Sequence, residues 1–359
     1  MRFRFQFRRY LLPLRVAVRT AHGVWSEREG LIVRLENEAG IAGCGEAAPI
    51  PAFGTETVDE VEAACRDLGE WADDARLASV PARLACLRNG IATARAAFAD
   101  TMTAKAAHKF IGVAALLPAG RAALALVGPK AESGFRVFKW KVGVGDVADE
   151  LSLLDDLCAA LPSGATLRLD ANGAWDRRRA ERWLERCAER PVEFVEQPCF
   201  APRGGPAEGT ARRSRDEDLL LGLANDWPTP IALDESLIGG GDIERWVGAG
   251  WPGVFVVKPA LLGDVAGALA QLAKARAHVV FSSALETAVG ARAALRAAFA
   301  WPGEVEPARS GGSPQPRALG FGVWPLFADG RFDGPAAAPF LRAEDVERIN
   351  VEAVWTALS

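Results

Sequence analysis

The sequence predicts an α/β protein in which about eight parallel strands alternate with covering helices, behind an N-terminal α+β unit. Three observations carry that prediction. The opening stretch alternates polar and apolar residues with the period of a strand. After Gly120, short apolar runs alternate with amphipathic segments. At intervals of about 24 to 38 residues, an apolar run ends on a charged side chain.

In order, "RFRFQFRR" (2–9) and "EGLIVRLENEAGIAGCGEAAP" (29–49) read as an antiparallel meander, with Asn37 to Gly40 as a turn. From Thr57 to about Lys109 the pattern is helical and rich in Ala, Leu and Arg. "RAALALVG" (121–128) and "FRVFKWKVG" (135–143) then read as strands, followed by a helix over 146–161. "ATLRLDAN" precedes a helix over 176–190, and "VEFVEQP" precedes a Gly/Pro/Arg-rich surface loop over 200–218 and the helical "EDLLLGLAND". "IALDES", "GVFVVKPA", "HVVFSSAL" and "RALGFG" complete the strands, with helices over 264–277 and 289–301. Such a succession fits a (β/α) barrel or an open doubly wound sheet. No GxGxxG opens a helix after a strand, and "VGVGD" at 142–146 has the wrong glycine spacing, so a dinucleotide fold loses ground.

The bulk numbers exclude several classes. Half of the 359 residues are hydrophobic and a quarter charged, which is globular composition. A net charge of -4 argues against a nucleic-acid or anionic-membrane partner. Six cysteines (Cys44, Cys65, Cys86, Cys158, Cys187, Cys199) lack zinc-ligand spacing and read as reduced thiols. The N-terminus lacks an apolar signal region, and no apolar stretch is long enough for a membrane span. A soluble, cytoplasmic protein is expected; the oligomeric state is not legible.

The strand-end charges hold the chemistry. Lys141 ends the second strand after Gly120, Asp170 the third, Glu196 the fourth, Asp234 the fifth and Lys258 the sixth. If the strands close into a barrel, all five gather at its carboxyl-terminal mouth. The period of two puts Lys139 with Lys141 on one face and Arg168 with Asp170 on another, so Lys139 and Arg168 line the interior just below. Three carboxylates without histidine or cysteine suit a hard cation such as Mg²⁺. Lysines beside such a metal should have depressed pKa values, and a neutral lysine is a competent carbon-acid base.

These motifs resemble the enolase superfamily: "KWK" (139–141), "LDAN" (169–172), "VEQP" (195–198), "LDES" (233–236) and "VVKP" (256–259). The KxK pair with a later lysine is similar to the muconate-lactonizing subgroup. The resemblance covers nearly the whole chain. It implies a modified (β/α)₇β TIM-like barrel over 116–324 and an α+β capping domain over 1–115, on which a tail over 325–359 packs back. It implies Asp170, Glu196 and Asp234 on Mg²⁺, with Mn²⁺ as a substitute, and Lys141 and Lys258 as the catalytic pair on opposite faces of a small carboxylate substrate.

Within the subgroup, "LRLDANGAW" (167–175) and "FSSALET" (281–287) are most similar to the dehydrating branch, a resemblance that implies conversion of a cyclohexadiene carboxylate to an aromatic ring in menaquinone biosynthesis. There Lys141 would take the α-proton and then act as acid, while Lys258 would stabilise the enolate. Lys139, Arg168 and Ser283 would contact or seat the substrate, Lys139 also tuning Lys141. Asn172 and Glu235 would stand behind the metal ligands. Two loops, 20–30 and 48–57, match the cap loops that close over the barrel; His22 in the first is a candidate substrate contact, set against the plainer reading of a solvated loop histidine. The seventh strand carries Ser282, Ser283 and Glu286 but no histidine, which counts against a mandelate-racemase-like reaction. The eighth lacks the Asp-x-Asp of dipeptide epimerases. N-acylamino acid racemisation and muconate cycloisomerisation remain open on the same residues, and a non-catalytic scaffold is the reading least favoured.

Overall fold

The computed structural model describes residues 1–20, 23–98, 106–200, 209–302 and 316–358. An antiparallel sheet comes first: β1 (Arg2–Thr20), β2 (Gly23–Glu36), β3 (Ala42–Ala47) and β4 (Trp71–Asp73), in spatial order β3-β2-β1-β4. Its alternation is the cause of its burial. Phe3, Phe5, Leu31, Val33 and Leu35 face inward onto α1 (Val58–Leu68), α2 (Asp74–Ala78) and α3 (Ala85–Arg95). Helix α1 opens with a capping box, Thr57 with Glu60, and buries Val58, Val61, Cys65 and Leu68 at helical spacing. Strand β3 and helix α3 touch backbone to backbone: a Cβ at Gly45 would lie 1.9 Å from the Gly90 carbonyl oxygen, so only glycine fits there.

After β5 (Phe110–Gly112) the chain enters the barrel. Strands β6 (Ala115–Leu117), β7 (Val137–Lys141), β8 (Thr166–Asp170), β9 (Val192–Glu196), β10 (Ile231–Leu233), β11 (Val254–Val257) and β12 (His278–Phe281) form one parallel sheet in sequence order. Between and after them run α4 (Ala122–Glu132), α5 (Val147–Ala160), α6 (Arg177–Cys187), α7 (Gly209–Asp226), α8 (Gly240–Gly248), α9 (Val265–Lys274) and α10 (Ala288–Ala300). Leu319 and Gly320 close the ring, bridging to Val113 on one side and Ser282 on the other. The barrel interior holds Phe194, Ala232, Val254, Val256 and Val280; the outward residues between them join the helices.

The remaining chain returns to the first sheet through β13 (Phe340–Arg342), α11 (Ala343–Glu347) and α12 (Val351–Ala357). Leu14 bridges Phe327, and the Arg8 guanidinium lies 4.1 Å from the Trp355 ring centroid.

Three local expectations are corrected. "RAALALVG" from Ala122 on is part of helix α4, with Arg121 as its N-cap, and the first barrel strand is β6. Eight Ala- and Leu-rich residues cannot tell a buried strand from a buried helix by periodicity, and Ala and Leu favour helix. Trp71–Asp73, inside the stretch read as helical, pairs with Arg2–Arg4 as a strand. The segment read as a loop to residue 218 is helical from Gly209.

Candidate active site

The strand period places the charged residues as their spacing implies. On β7, Phe138 and Trp140 are fully buried among the outer core, with Trp140 beside Trp183, while Lys139 and Lys141 take the other face. Lys141 is in register with Asp170, Asp170 with Glu196, and Glu196 with Ala232, two residues before Asp234. Lys258 follows the last residue of β11. Asp170, Glu196, Asp234 and Lys258 are all buried.

Lysines and carboxylates neutralise one another. Lys139 Nζ donates to Glu196 Oε1 at 2.7 Å and lies 3.1 Å from Asp170 Oδ2. Lys141 Nζ lies 3.5 Å from the same Asp170 oxygen, and Lys258 Nζ bonds Asp234 Oδ1. Among the described residues no three acidic, histidine or cysteine side chains are grouped to hold a metal ion, and ammonium groups lie on the carboxylates. The donor set itself fits a hard divalent cation: three buried carboxylates on adjacent strand ends, with no sulfur or imidazole among them.

Burial and charge compete at every group. Burial raises Asp170, but the Lys139 and Lys141 charges outweigh it and hold the carboxyl well below the usual range. Burial also raises Glu196; with Asp170 and Asp234 adding to it against Lys139, that carboxyl stays above its usual range. Lys258 is lowered by burial, yet Asp234, Glu235 and Glu196 more than reverse this, and its ammonium is held above the ordinary lysine value. Lys139 follows the same pattern through Asp170 and Glu196. Around Lys139 and Lys258 the neighbouring acids favour the charged form, whereas the depression expected of the lysines belongs to a cation-bound site.

Behind the charges runs a chain of neutral and acidic partners. Asn172 Oδ1 accepts from Lys141 Nζ, and its Nδ2 donates to Glu235 Oε1 at 2.9 Å. Asn172 has φ +46°, a left-handed turn that asparagine tolerates better than most residues. Gln197, also left-handed at φ +36°, is a residue the sequence reading passed over. Its Oε1 accepts from the Asp234 N–H at 2.9 Å and its Nε2 donates to Ser236 Oγ at 2.8 Å, tying the end of β9 to that of β10. Its place inside "VEQP", beside an acid, was the available signal.

Two residues expected at the substrate are engaged elsewhere. A register shift between Leu167 and Arg168 leaves Glu193 as the extra residue of β9. Arg168 Nε donates to Glu193 Oε2 at 2.7 Å and Nη1 to the Ala318 carbonyl at 2.7 Å, with its guanidinium 4.9 Å from the Phe194 ring. Arg317 also donates to Glu193, at 2.8 Å. Arg168 thus crosses the barrel interior as part of an ion triad below the mouth. Ser283 Oγ donates to Glu286 Oε2 at 2.9 Å and accepts from the Leu285 N–H at 2.9 Å, which fixes a turn. From the second cap loop the Phe53 ring lies 5.4 Å from Lys258 Nζ, and Trp25 of the first lies 6.3 Å from that ring. His22 lies outside the described residues.

A second buried polar cluster joins cap to barrel. Glu46, at the end of β3, accepts from Tyr10 Oη, from the Thr287 N–H and hydroxyl, and from the Gly290 N–H at 2.8 Å. It thereby caps α10 from another domain, where a carboxylate is favoured by the helix dipole. Glu286 beside it has one oxygen, Oε1, without a hydrogen-bond partner. Burial, with Glu46 adding to it, pushes the Glu286 carboxyl from its ordinary 4.5 up to about 7.

The fold therefore binds a proton on Glu286 that the unfolded chain has released. Its contribution to stability is fully present below about pH 4.5, falls as pH rises toward about 7, and is level above. The span corresponds to about 3 kcal/mol. Glu286→Gln should flatten that part of the profile, so unfolding midpoints at pH 5 and pH 8 should lie closer together than in the unmodified protein. An unchanged difference would refute the assignment.

A parallel barrel with lysines and carboxylates at its mouth, under an α+β cap, defines an enolase-superfamily enzyme, and the comparisons with known proteins agree. Residues 122–339 match a family model described as enolase C-terminal domain-like, and residues 2–98 one described as MenC, N-terminal domain. The o-succinylbenzoate synthase of Thermosynechococcus vestitus is 39% identical over 326 residues, covering 89% of this chain and 92% of its own. That of Edwardsiella ictaluri is 32% identical over 310 residues, covering 82% and 86%. The crystal structure of o-succinylbenzoate synthase from Thermosynechococcus elongatus, complexed with Mg in the active site, superposes with a TM-score of 0.76 at 35% identity over 99% of each chain. An L-Ala-D/L-Glu epimerase from Bacillus subtilis, at 20% identity and a TM-score of 0.72 over 94% of this chain and 95% of its own, shares the fold. The chain belongs to the o-succinylbenzoate synthase family of the enolase superfamily.

Proposed function

We propose that this chain catalyses the o-succinylbenzoate synthase reaction in menaquinone biosynthesis. It dehydrates 2-succinyl-6-hydroxy-2,4-cyclohexadiene-1-carboxylate to 2-succinylbenzoate through an enediolate, as a hydro-lyase. The observation that supports this most is that Lys141 and Lys258 flank three strands, each ending in a buried carboxylate.

In this reading Lys141 Nζ removes the α-proton of the carboxylate substrate. The same Nζ then returns a proton to the departing hydroxyl, which leaves as water with the electron pair of the broken C–O bond, and the ring becomes aromatic. Lys258, buried and cationic, lies where negative charge develops. Lys139, held between Glu196 and Asp170, fixes those carboxylates and tunes Lys141. Asp170, Glu196 and Asp234 would hold Mg²⁺, with Mn²⁺ as a substitute. The bound metal would stabilise charge developing on the substrate carboxylate. Asn172 and Glu235 orient Lys141 from behind. Arg168 and Ser283, each held in place by protein hydrogen bonds, would help seat the substrate.

No helix among the described residues is long and apolar enough to cross a membrane. All six cysteines are free, which suits a reducing cytoplasm.

The test is an ultraviolet assay of the purified protein with Mg²⁺ and the cyclohexadiene substrate. Turnover should disappear with chelator and return with Mg²⁺, and Asp234→Asn should weaken Mg²⁺ binding about tenfold or more. Turnover that survives chelation would sink the metal assignment. No dehydration, but deuterium exchange into an N-succinylamino acid, would replace the reaction with racemisation.

A further inference from the structure

Arg28, on β2 of the cap, is 5% exposed, and among the described residues the groups it bonds are backbone carbonyls. Nη1 donates to Pro49 at 2.8 Å and to Glu29 at 2.9 Å; Nη2 donates to Ala48 and, at 3.2 Å, to Ala284; Nε donates to Leu285 at 3.3 Å. Five donors meet five acceptors, the full capacity of a guanidinium. Three of the carbonyls belong to the cap and two to the turn after barrel strand β12, more than 250 residues away.

That turn is set under constraint. Leu285 has φ +59°, a conformation a branched side chain rarely adopts. Its N–H is held by Ser283 Oγ and its carbonyl by Arg28. Ala284 is gripped at both ends, its N–H by Glu286 and its carbonyl by Arg28. The turn follows β12, the neighbour of the strand that carries Lys258. On the cap side, Ala48 and Pro49 lead directly into the segment whose Phe53 ring faces Lys258. Arg28 therefore ties together the two segments that flank this lysine, one from each domain.

We propose that Arg28 is a positioning residue for the reaction: it holds the cap segment 48–53 and the turn 283–286 in one relative setting, so that substrate enters between walls already assembled. This rests on the dehydration reading above. Lysine cannot replace it, since one ammonium has three donors at a single point and cannot span carbonyls of both domains as a planar fork does.

The experiment compares the unmodified enzyme, Arg28→Lys and Arg28→Ala at saturating Mg²⁺, with thermal unfolding recorded for each. Misplaced walls should cost about 10- to 100-fold in kcat/KM for Arg28→Lys, carried mainly by KM, while the protein remains folded. Guanidinium ion at millimolar concentration should restore part of the activity of Arg28→Ala and leave the unmodified enzyme unaffected. A folded Arg28→Lys with kcat/KM within twofold of the unmodified enzyme overturns the proposal. So does a loss that follows the unfolding midpoint alone and is not rescued. If Arg28→Ala does not fold, the kinetics of Arg28→Lys decide. Absence of dehydration by the unmodified enzyme would instead sink the functional reading, and the proposal with it.

Discussion

Replacing Lys141 by alanine should reduce dehydration by about 10²–10⁴-fold, the usual contribution of a positioned general base, while leaving the fold intact. Of the three lysines at the mouth it is the most accessible, with 23% of its side chain exposed against 13% for Lys139 and 9% for Lys258. It has the longest carboxylate contact of the three and a neutral partner in Asn172, so a substrate proton can reach it. The other two lysines are committed to carboxylates at shorter range. Lys258→Ala should also abolish turnover, but with a second signature. In the proposed reading Asp234 would hold the metal while Lys258 Nζ also bonds it, so this variant should bind Mg²⁺ more tightly when titrated calorimetrically. Lys141→Ala retaining activity within tenfold, or Lys258→Ala binding Mg²⁺ more weakly, would refute the assignment of roles.

The second large effect is on stability. Glu46→Ala should destabilise the protein by about 3–5 kcal/mol, because it strands several buried donors at once. Tyr10 loses the acceptor for its hydroxyl, and Thr287 and Gly290 lose theirs at the start of α10. For a chain this long the midpoint should fall by roughly 4–7 °C. Glu46→Gln keeps an acceptor oxygen and should recover part of the loss. A fall of less than about 1 °C would show that solvent replaces the carboxylate without cost.

What could be read from the sequence is what is local. The faces of Lys139, Trp140 and Lys141 follow from a period of two, which neighbours alone determine. The acids at Asp170, Glu196 and Asp234 each close an apolar run, and their recurrence announced parallel strand ends. What escaped depends on pairing across the chain. The register shift that turns Glu193 onto Arg168 exists only once β8 and β9 are aligned. Glu46 meets Thr287 across 241 residues, and Arg28 meets Ala284 across 256; no motif links such partners.

The return of α12 to the first sheet sets the order of events during synthesis. Arg8 and Trp355 are 347 residues apart, so at about 5–20 residues per second roughly 20–70 s pass between making one and making the other. For that interval the long strand β1 exists without the helix that covers its flank, while every barrel strand emerges in sequence order beside its neighbour. The nascent barrel can assemble progressively, but the cap can be completed only once α12 has been made. Truncated or slowly translated chains should therefore present β1 to chaperones, or to one another, long before the active site is damaged.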